Sequence, residues 1–233
     1  SHGIYTYSNF LREEEQAELL ANERDFSYAG IALFGGNEGA SRCVCRFGDP
    51  QTLGYEEDFP VACLHIEPLA EKFGEELSHR DYLGSMLGLG IDRSVTGDIL
   101  VREDGADIII MPEIADFLLQ EYKQVGRTAV KTSRAAIEEL RIPESKTEII
   151  KDTVPSIRLD NVAASAFRIS RAKAADAIRA GIVSMDHIEC LKPDARLEER
   201  AVIVLKGKGK AVLKEIGGES KKNRVWIRIE RYI

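Results

Sequence analysis

The sequence predicts an α+β protein: a ferredoxin-like middle domain, an acidic α/β region before it and a small basic domain after it. Three observations carry this reading. Strand-period and helix-period patterns alternate in the order β-α-β-β-α-β between residues 60 and 140. At 233 residues the chain exceeds the usual size of one domain, so two or three are expected. The charge is also divided. Residues 1–150 carry 14 Lys/Arg against 28 Asp/Glu, a net of −14, whereas residues 151–233 carry 18 against 11, a net of +7. The expected boundaries are 5–59, 60–140, a polar linker at 141–155, and 156–233.

Each element has its own signal. Residues 6–26 are rich in Glu, Gln, Ala and Leu, with Leu11, Leu19 and Leu20 at roughly helical spacing, and predict one or two amphipathic helices. Ile31–Phe34 and Cys43–Phe47 are β-branched or aromatic runs around Gly35, Gly36 and Gly39, a hairpin pattern. Residues 48–60 read as a loop. Val61–Ile66 reads as a strand, and His79–Leu89 as a helix ended by Gly88 and Gly90. Asp98–Val101 and Asp107–Met111 are strands joined at Asp104-Gly105. Glu113–Val125 is a helix between Pro112 and Gly126, and Thr128–Thr132 a strand. This order also underlies a common RNA-binding module (RRM-like), but the paired aromatics on which such modules stack bases are missing.

Beyond the linker, Leu159–Phe167 and Arg171–Ala180 read as short helices. Ile182–Met185, Ile188–Leu191 and Val202–Leu205 read as strands, followed by a basic loop and a last strand, Val225–Ile229.

Composition excludes several classes. No apolar stretch approaches the roughly 20 residues of a membrane-spanning helix. Four cysteines in a chain of this length do not make a disulfide scaffold, and no cleavable signal pattern is seen, so a cytoplasmic protein is expected. Ser1-His2-Gly3 reads as the remnant of a tag. Cys43 with Cys45, and Cys63 with His65, would share strand faces. Neither pair has the two or more intervening residues usual between metal ligands, so the thiols are read as small buried hydrophobes. No metal and no cofactor is expected.

The chemistry is concentrated near the C-terminus. Ser170 is placed to cap a helix whose first turn holds Arg171 and Lys173, cations that oppose the helix dipole at about 0.3–1 kcal/mol each. A phosphate bound at that helix end would complete the site. Lys206, Lys208 and Lys210 alternate with Gly207 and Gly209, so the backbone there can approach a phosphate chain closely. Lys221, Lys222 and Arg224 follow, and the last 28 residues hold nine basic against three acidic. Trp226 is read as packed in a small β core. Folding is expected to gather these cations on one continuous face.

These residues carry a resemblance. Arg158-Leu159-Asp160, Ser170-Arg171, Ala174, Ala177-Ile178-Arg179, Gly181 and Val183, closed by Arg196-Leu197 to Leu205, resemble the alpha-L RNA-binding domain, the "S-four" domain of ribosomal proteins. The chain has Asp186-His187 where that domain has an Asn-Gly turn. His79 to Gly84, Gly88 to Ile91, Arg93 and Gly97-Asp98-Ile99, together with the lysine-rich tail, resemble the YlmH family of bacterial proteins. The resemblance implies a ribosome-associated RNA-binding protein that engages large-subunit rRNA and tRNA where translation has stalled. The expected RNA contacts are Arg158, Ser170, Arg171, Lys173, Arg179, Lys206, Lys208, Lys210, Lys221, Lys222 and Arg224, with Arg80 and Arg93 read either as structural ion-pair partners or as a second phosphate contact. Structured RNA is the expected partner, and the acidic N-terminal region could serve a protein partner.

Enzymatic readings are weaker. His79-Arg80-Asp81 imitates a kinase catalytic loop, but the required Asn five residues on is Met86, and Asp81 is better used in capping a helix. Arg158-Leu159-Asp160 also resembles the aspartate motif of pseudouridine synthases, without the glycine before it or the Ser/Thr-Gly-Leu after it. Asp160 is better read as a first-turn helix residue. The expectation is a non-enzymatic protein. The alternative is an RNA-modifying enzyme with its centre near Arg80, Asp81 and Asp98.

Overall fold

Thr6–Leu11 forms a strand, β1, and only Glu13–Ala21 forms a helix, α1, where helix was expected throughout residues 6–26. Three consecutive glutamates occupy the first turn of α1 and suit the positive end of its dipole. β2 (Ile31–Phe34) and β3 (Cys43–Phe47) pair antiparallel as expected, and β1 adds to the other edge of β3, giving the order β1-β3-β2. The expected loop after β3 contains one helical turn, α2 (Pro50–Leu53). Asp49 caps it by accepting from the Gln51 amide at 3.0 Å. The computed structural model describes residues 3–26, 30–69, 77–143, 146–220 and 222–233.

The middle of the chain continues with β4 (Ala62–Pro68), α3 (His79–Gly88), β5 (Thr96–Arg102) and β6 (Gly105–Ile110). Then come α4 (Ala115–Glu121), β7 (Gln124–Val125) and β8 (Thr128–Ala135). The helix expected over 113–125 is shorter, because Gln124–Val125 pairs with β8 instead. The five strands lie in the order β5-β6-β4-β8-β7, every neighbouring pair antiparallel. Gly105 opens β6 at φ +149°, where an added Cβ would sit 2.1 Å from the Ile66 carbonyl oxygen. The position admits only glycine.

The two faces of this sheet have different fates. On one, Leu64, Ile66, Ile108, Ile110 and Val130 pack with Tyr82 and Met86 of α3 and Leu118 of α4. On the other, Cys63, Ile109 and Met111 pack with Phe10 of β1 and Val44 of β3. The remainder of that second face is charged: the Asp107 carboxylate accepts from Arg102 Nη1 at 2.8 Å and lies 2.6 Å from His65 Nδ1. A face that base-stacking sheets leave open is here covered at one end and ion-paired at the other. The missing aromatics are thereby explained.

All of these elements belong to one compact unit, residues 1–143, and the rest of the chain forms a second, residues 144–233. The second unit opens with β9 (Thr147–Val154), which corrects the reading of residues 141–155 as linker. Then follow α5 (Leu159–Ala166), α6 (Arg171–Arg179), β10 (Val183–Met185), β11 (Ile188–Glu189), β12 (Val202–Leu205), β13 (Gly209–Glu219) and β14 (Val225–Tyr232). The expected basic loop is mostly the long strand β13. The sheet order is β11-β10-β12-β13-β14-β9, all antiparallel.

One face of this sheet is apolar. Ile203, Leu205, Leu213, Ile227 and Ile229 bury against Leu159, Val162, Phe167 and Ile178 of the two helices. Asp186 and His187 form the two-residue turn between β10 and β11 with φ of +51° and +67°. The primed turn that Asn-Gly favours is therefore made by Asp-His, with the Asp186 carboxylate accepting from the Val202 amide at 2.8 Å.

Candidate nucleic-acid interface

The start of α5 is clamped by the segment 193–197. Leu159 and Asp160 donate their amides to the carbonyls of Ala195 and Pro193, and Arg158 bridges Arg196 across an antiparallel pair. This clamp buries the Asp160 side chain to 3% exposure. Its carboxylate then accepts from Arg158 Nε at 3.2 Å and Nη2 at 3.1 Å, and from Arg171 Nε at 2.9 Å. Guanidiniums at the starts of two successive helices are thus fixed by one carboxylate, two positive charges against one negative. Their side chains remain 36% and 56% exposed. Arg171 is held through Nε, so its terminal nitrogens remain as donors in the fork that suits a phosphate.

The same place gathers Ser170 and Lys173. Ser170 Oγ accepts from the Lys173 amide at 3.2 Å and caps α6, whose first turn holds no acidic residue. Lys173 is exposed. Arg196 is exposed too; sequence reasoning missed it as a contact, although its pairing with Arg158 places it beside this group. Two guanidiniums, Arg158 and Arg171, therefore meet on one buried carboxylate, with the capped N-terminus of α6 and its exposed Lys173 following in the chain. Such a surface can hold phosphate oxygens by charge, dipole and directed N–H groups.

The other expected contacts lie elsewhere. Arg179 ends α6 and pairs with Asp176 at 3.1 Å. Lys206 and Lys208 are exposed in the turn between β12 and β13, where Gly207 and Gly209 have positive φ; the glycines serve this turn. Lys210 Nζ sits 5.6 Å from the centre of the Tyr232 ring. Lys222 is exposed in the turn between β13 and β14, and Lys221 lies outside the described residues. Arg224 is occupied: Nε donates to Thr153 Oγ1 at 3.0 Å and Nη2 to the Thr153 carbonyl. The two turns stand at opposite ends of β13, whose 11 residues span roughly 30 Å at about 3.3 Å each. The expected single face is instead a helix-end group and two separate hairpin turns.

In the first unit Arg80 is exposed on α3, whereas Arg93 donates to the carbonyls of Thr96 at 2.7 Å and Gly97 at 2.9 Å. Burial, with the Arg42 guanidinium nearby, brings the Arg93 pKa down to about 10. Asp98 accepts from the Ser41 amide at 2.7 Å, and burial holds its carboxyl above the usual range. Asp81 takes part in a capping box with Ser78, accepting from its amide at 2.8 Å and its hydroxyl at 2.6 Å. These hydrogen bonds hold the Asp81 carboxyl below the usual range. Gly90, at φ +82°, lies just beyond the C-terminus of α3, as a capping glycine does. Cys43, Cys45 and Cys63 are buried. Among the described residues no three His, Cys, Asp or Glu side chains are grouped as metal ligands.

Comparison with known proteins adds an independent line. Residues 55–139 match a domain family described as "Putative RNA-binding domain in YlmH". The chain is 30% identical over 224 residues to the "Ribosome-associated protein quality control protein P2" of Bacillus subtilis (strain 168), covering 96% of this chain and 86% of that protein. Among solved structures, the "Cell division protein ylmH from Streptococcus pneumoniae" aligns at a TM-score of 0.49 and 19% identity, over 61% of this chain and 84% of that one.

Proposed function

The chain belongs to the YlmH family, and from that premise we propose that it is a non-enzymatic RNA-binding protein of the ribosome. In this reading its basic unit grips structured RNA, rRNA or tRNA, in the cytoplasm. The observation that carries the reading is the Asp160 carboxylate holding the partly exposed side chains of Arg158 and Arg171 at the starts of α5 and α6. A fold under selection for stability alone would put acidic residues in the first turn of α6; a phosphate ligand gives the cations there a purpose. Two helices followed by a short-stranded sheet agree with an alpha-L domain. The order β8-β4-β6-β5, with α3 and α4 on one face, agrees with a ferredoxin-like sheet. The relative's name supports the ribosomal context and quality control as the process served. Asp81 and Asp98 are engaged with Ser78 and Ser41, which favours a binding role over catalysis.

The test is a double substitution, Arg171→Glu with Lys173→Glu, assayed against a folded rRNA hairpin and against tRNA at several salt concentrations. Affinity should fall for both ligands together. The slope of log affinity against log salt should become shallower by about 2, near 0.9 per lost phosphate contact. Unchanged affinity and slope in a variant of normal thermal stability would reject this site.

A further inference from the structure

Trp226 does not lie in the core. It is 51% exposed, on the face of the six-stranded sheet opposite the helices, while its neighbours Val225 and Ile227 turn the other way. Cross-strand register identifies what surrounds the ring. Directly opposed residues of an antiparallel pair share a face, and Trp226 opposes Thr153. Two residues along, Arg228 opposes Lys151 on β9 and Glu215 on β13. The guanidinium of Arg224 reaches this face by donating to Thr153 Oγ1. Three cations therefore share this face with the indole, and Glu215 pairs with one of them, through Arg228 Nε at 3.1 Å. Lys151 is exposed and makes no ion pair among the described residues. Gly217 leaves room at the ring: a Cβ there would approach that of Trp226 to 3.1 Å. The result is a hollow of about 270 Å³ lined by Lys151, Glu215, Gly217, Trp226, Ile227 and Arg228.

We propose that this outer sheet face is a second RNA-binding site, which holds an unpaired nucleotide with its base stacked on Trp226 and its phosphates on Lys151 and Arg228. An exposed indole flanked by cations suits a π-faced, negatively charged ligand. A purely apolar partner would leave Lys151 desolvated without compensation. The inference rests on the RNA-binding reading above, but the residues are different, so the two can fail separately.

Trp226 is the sole tryptophan of the chain, so the full-length protein carries its own probe. A folded RNA hairpin with a single-stranded 3′ extension should quench the fluorescence saturably; the same hairpin with blunt ends should bind with little quenching. Trp226→Ala should weaken binding of the extended RNA about tenfold while sparing the blunt hairpin. Trp226→Phe should restore most of the lost affinity. Blunt and extended hairpins bound equally well by wild type and Trp226→Ala, with no quenching, would overturn the platform and leave the helix-end site standing. Failure to bind either RNA would overturn both. A blue shift that grows with protein concentration, without RNA, would assign the face to a second copy of the chain and also overturn the proposal.

Discussion

If the helix starts bind RNA as proposed, Asp160 puts an unusual demand on that surface: a negative charge is required for it to work. Simple electrostatics says that removing a carboxylate from such a surface strengthens binding. The geometry says the reverse, because Asp160 fixes both Arg158 and Arg171. Asp160→Asn, which keeps the shape and loses the charge, should therefore weaken RNA binding several-fold and destabilise the second unit by about 1–3 kcal/mol, the cost of weakened charge-assisted hydrogen bonds. A binding titration alongside thermal melting checks this, and tighter binding would refute it. The thiols make a second test. Burial pushes Cys43 up to about 11 and Cys63 up to about 12, and raises Cys45 as well. Their thiolate forms are scarce at pH 8, so iodoacetamide should label the partly exposed Cys190 first and spare the other three until the protein is unfolded. At this scale the sequence was legible where charge and capping chemistry are local: Ser170 and Asp81 behave as read. It was not legible where a side chain's role depends on strand pairing. Arg224, expected on phosphate, is spent on Thr153, Arg93 takes the structural one of its two expected roles by donating to backbone carbonyls, and Trp226 faces outward because register, not hydrophobicity, chose its face.

In the proposed reading, helix α6 trades stability for RNA binding. Ser170-Arg171-Ala172-Lys173 lacks only an acidic residue at its third helical position to become a full capping box. Lys173→Glu supplies it, replacing an unfavourable charge–dipole contact with a favourable one, and should raise the stability of the second unit by about 1 kcal/mol. The same change should lower RNA affinity and flatten its salt dependence by about one phosphate. Calorimetry and binding on the one variant should move in opposite directions; a loss of both would mean that Lys173 is structural. The helices α3, α5 and α6 were readable, because caps, terminal glycines and apolar spacing all lie within the element. The strands β1 and β9 were not. β1 abuts the glutamate-rich helix α1, whose composition spread over it, and β9 alternates exposed and half-buried residues at a sheet edge, a pattern that resembles a polar linker until β14 pairs with it.

The uneven charge belongs to the whole molecule and follows its division into units. Residues 1–143 carry 13 Lys/Arg against 26 Asp/Glu, a net of −13, and residues 144–233 carry 19 against 13, a net of +6. The second unit has its own buried core, from Val154 to Ile229, so it should fold when produced alone. A fragment of residues 144–233 tests what the acidic unit does for binding. If the first unit acts only through its field, the fragment should bind folded RNA more tightly than the full chain at low salt, because 13 net negative charges have been removed. The two affinities should converge as salt rises and the Debye length falls below about 8 Å. The slope would then be steeper for the fragment, since the repulsion that it has lost is itself screened by salt. If instead the first unit contributes contacts of its own, through Arg80 or through the domain matched over residues 55–139, the full chain should stay tighter at every salt concentration. Two salt titrations side by side separate these outcomes.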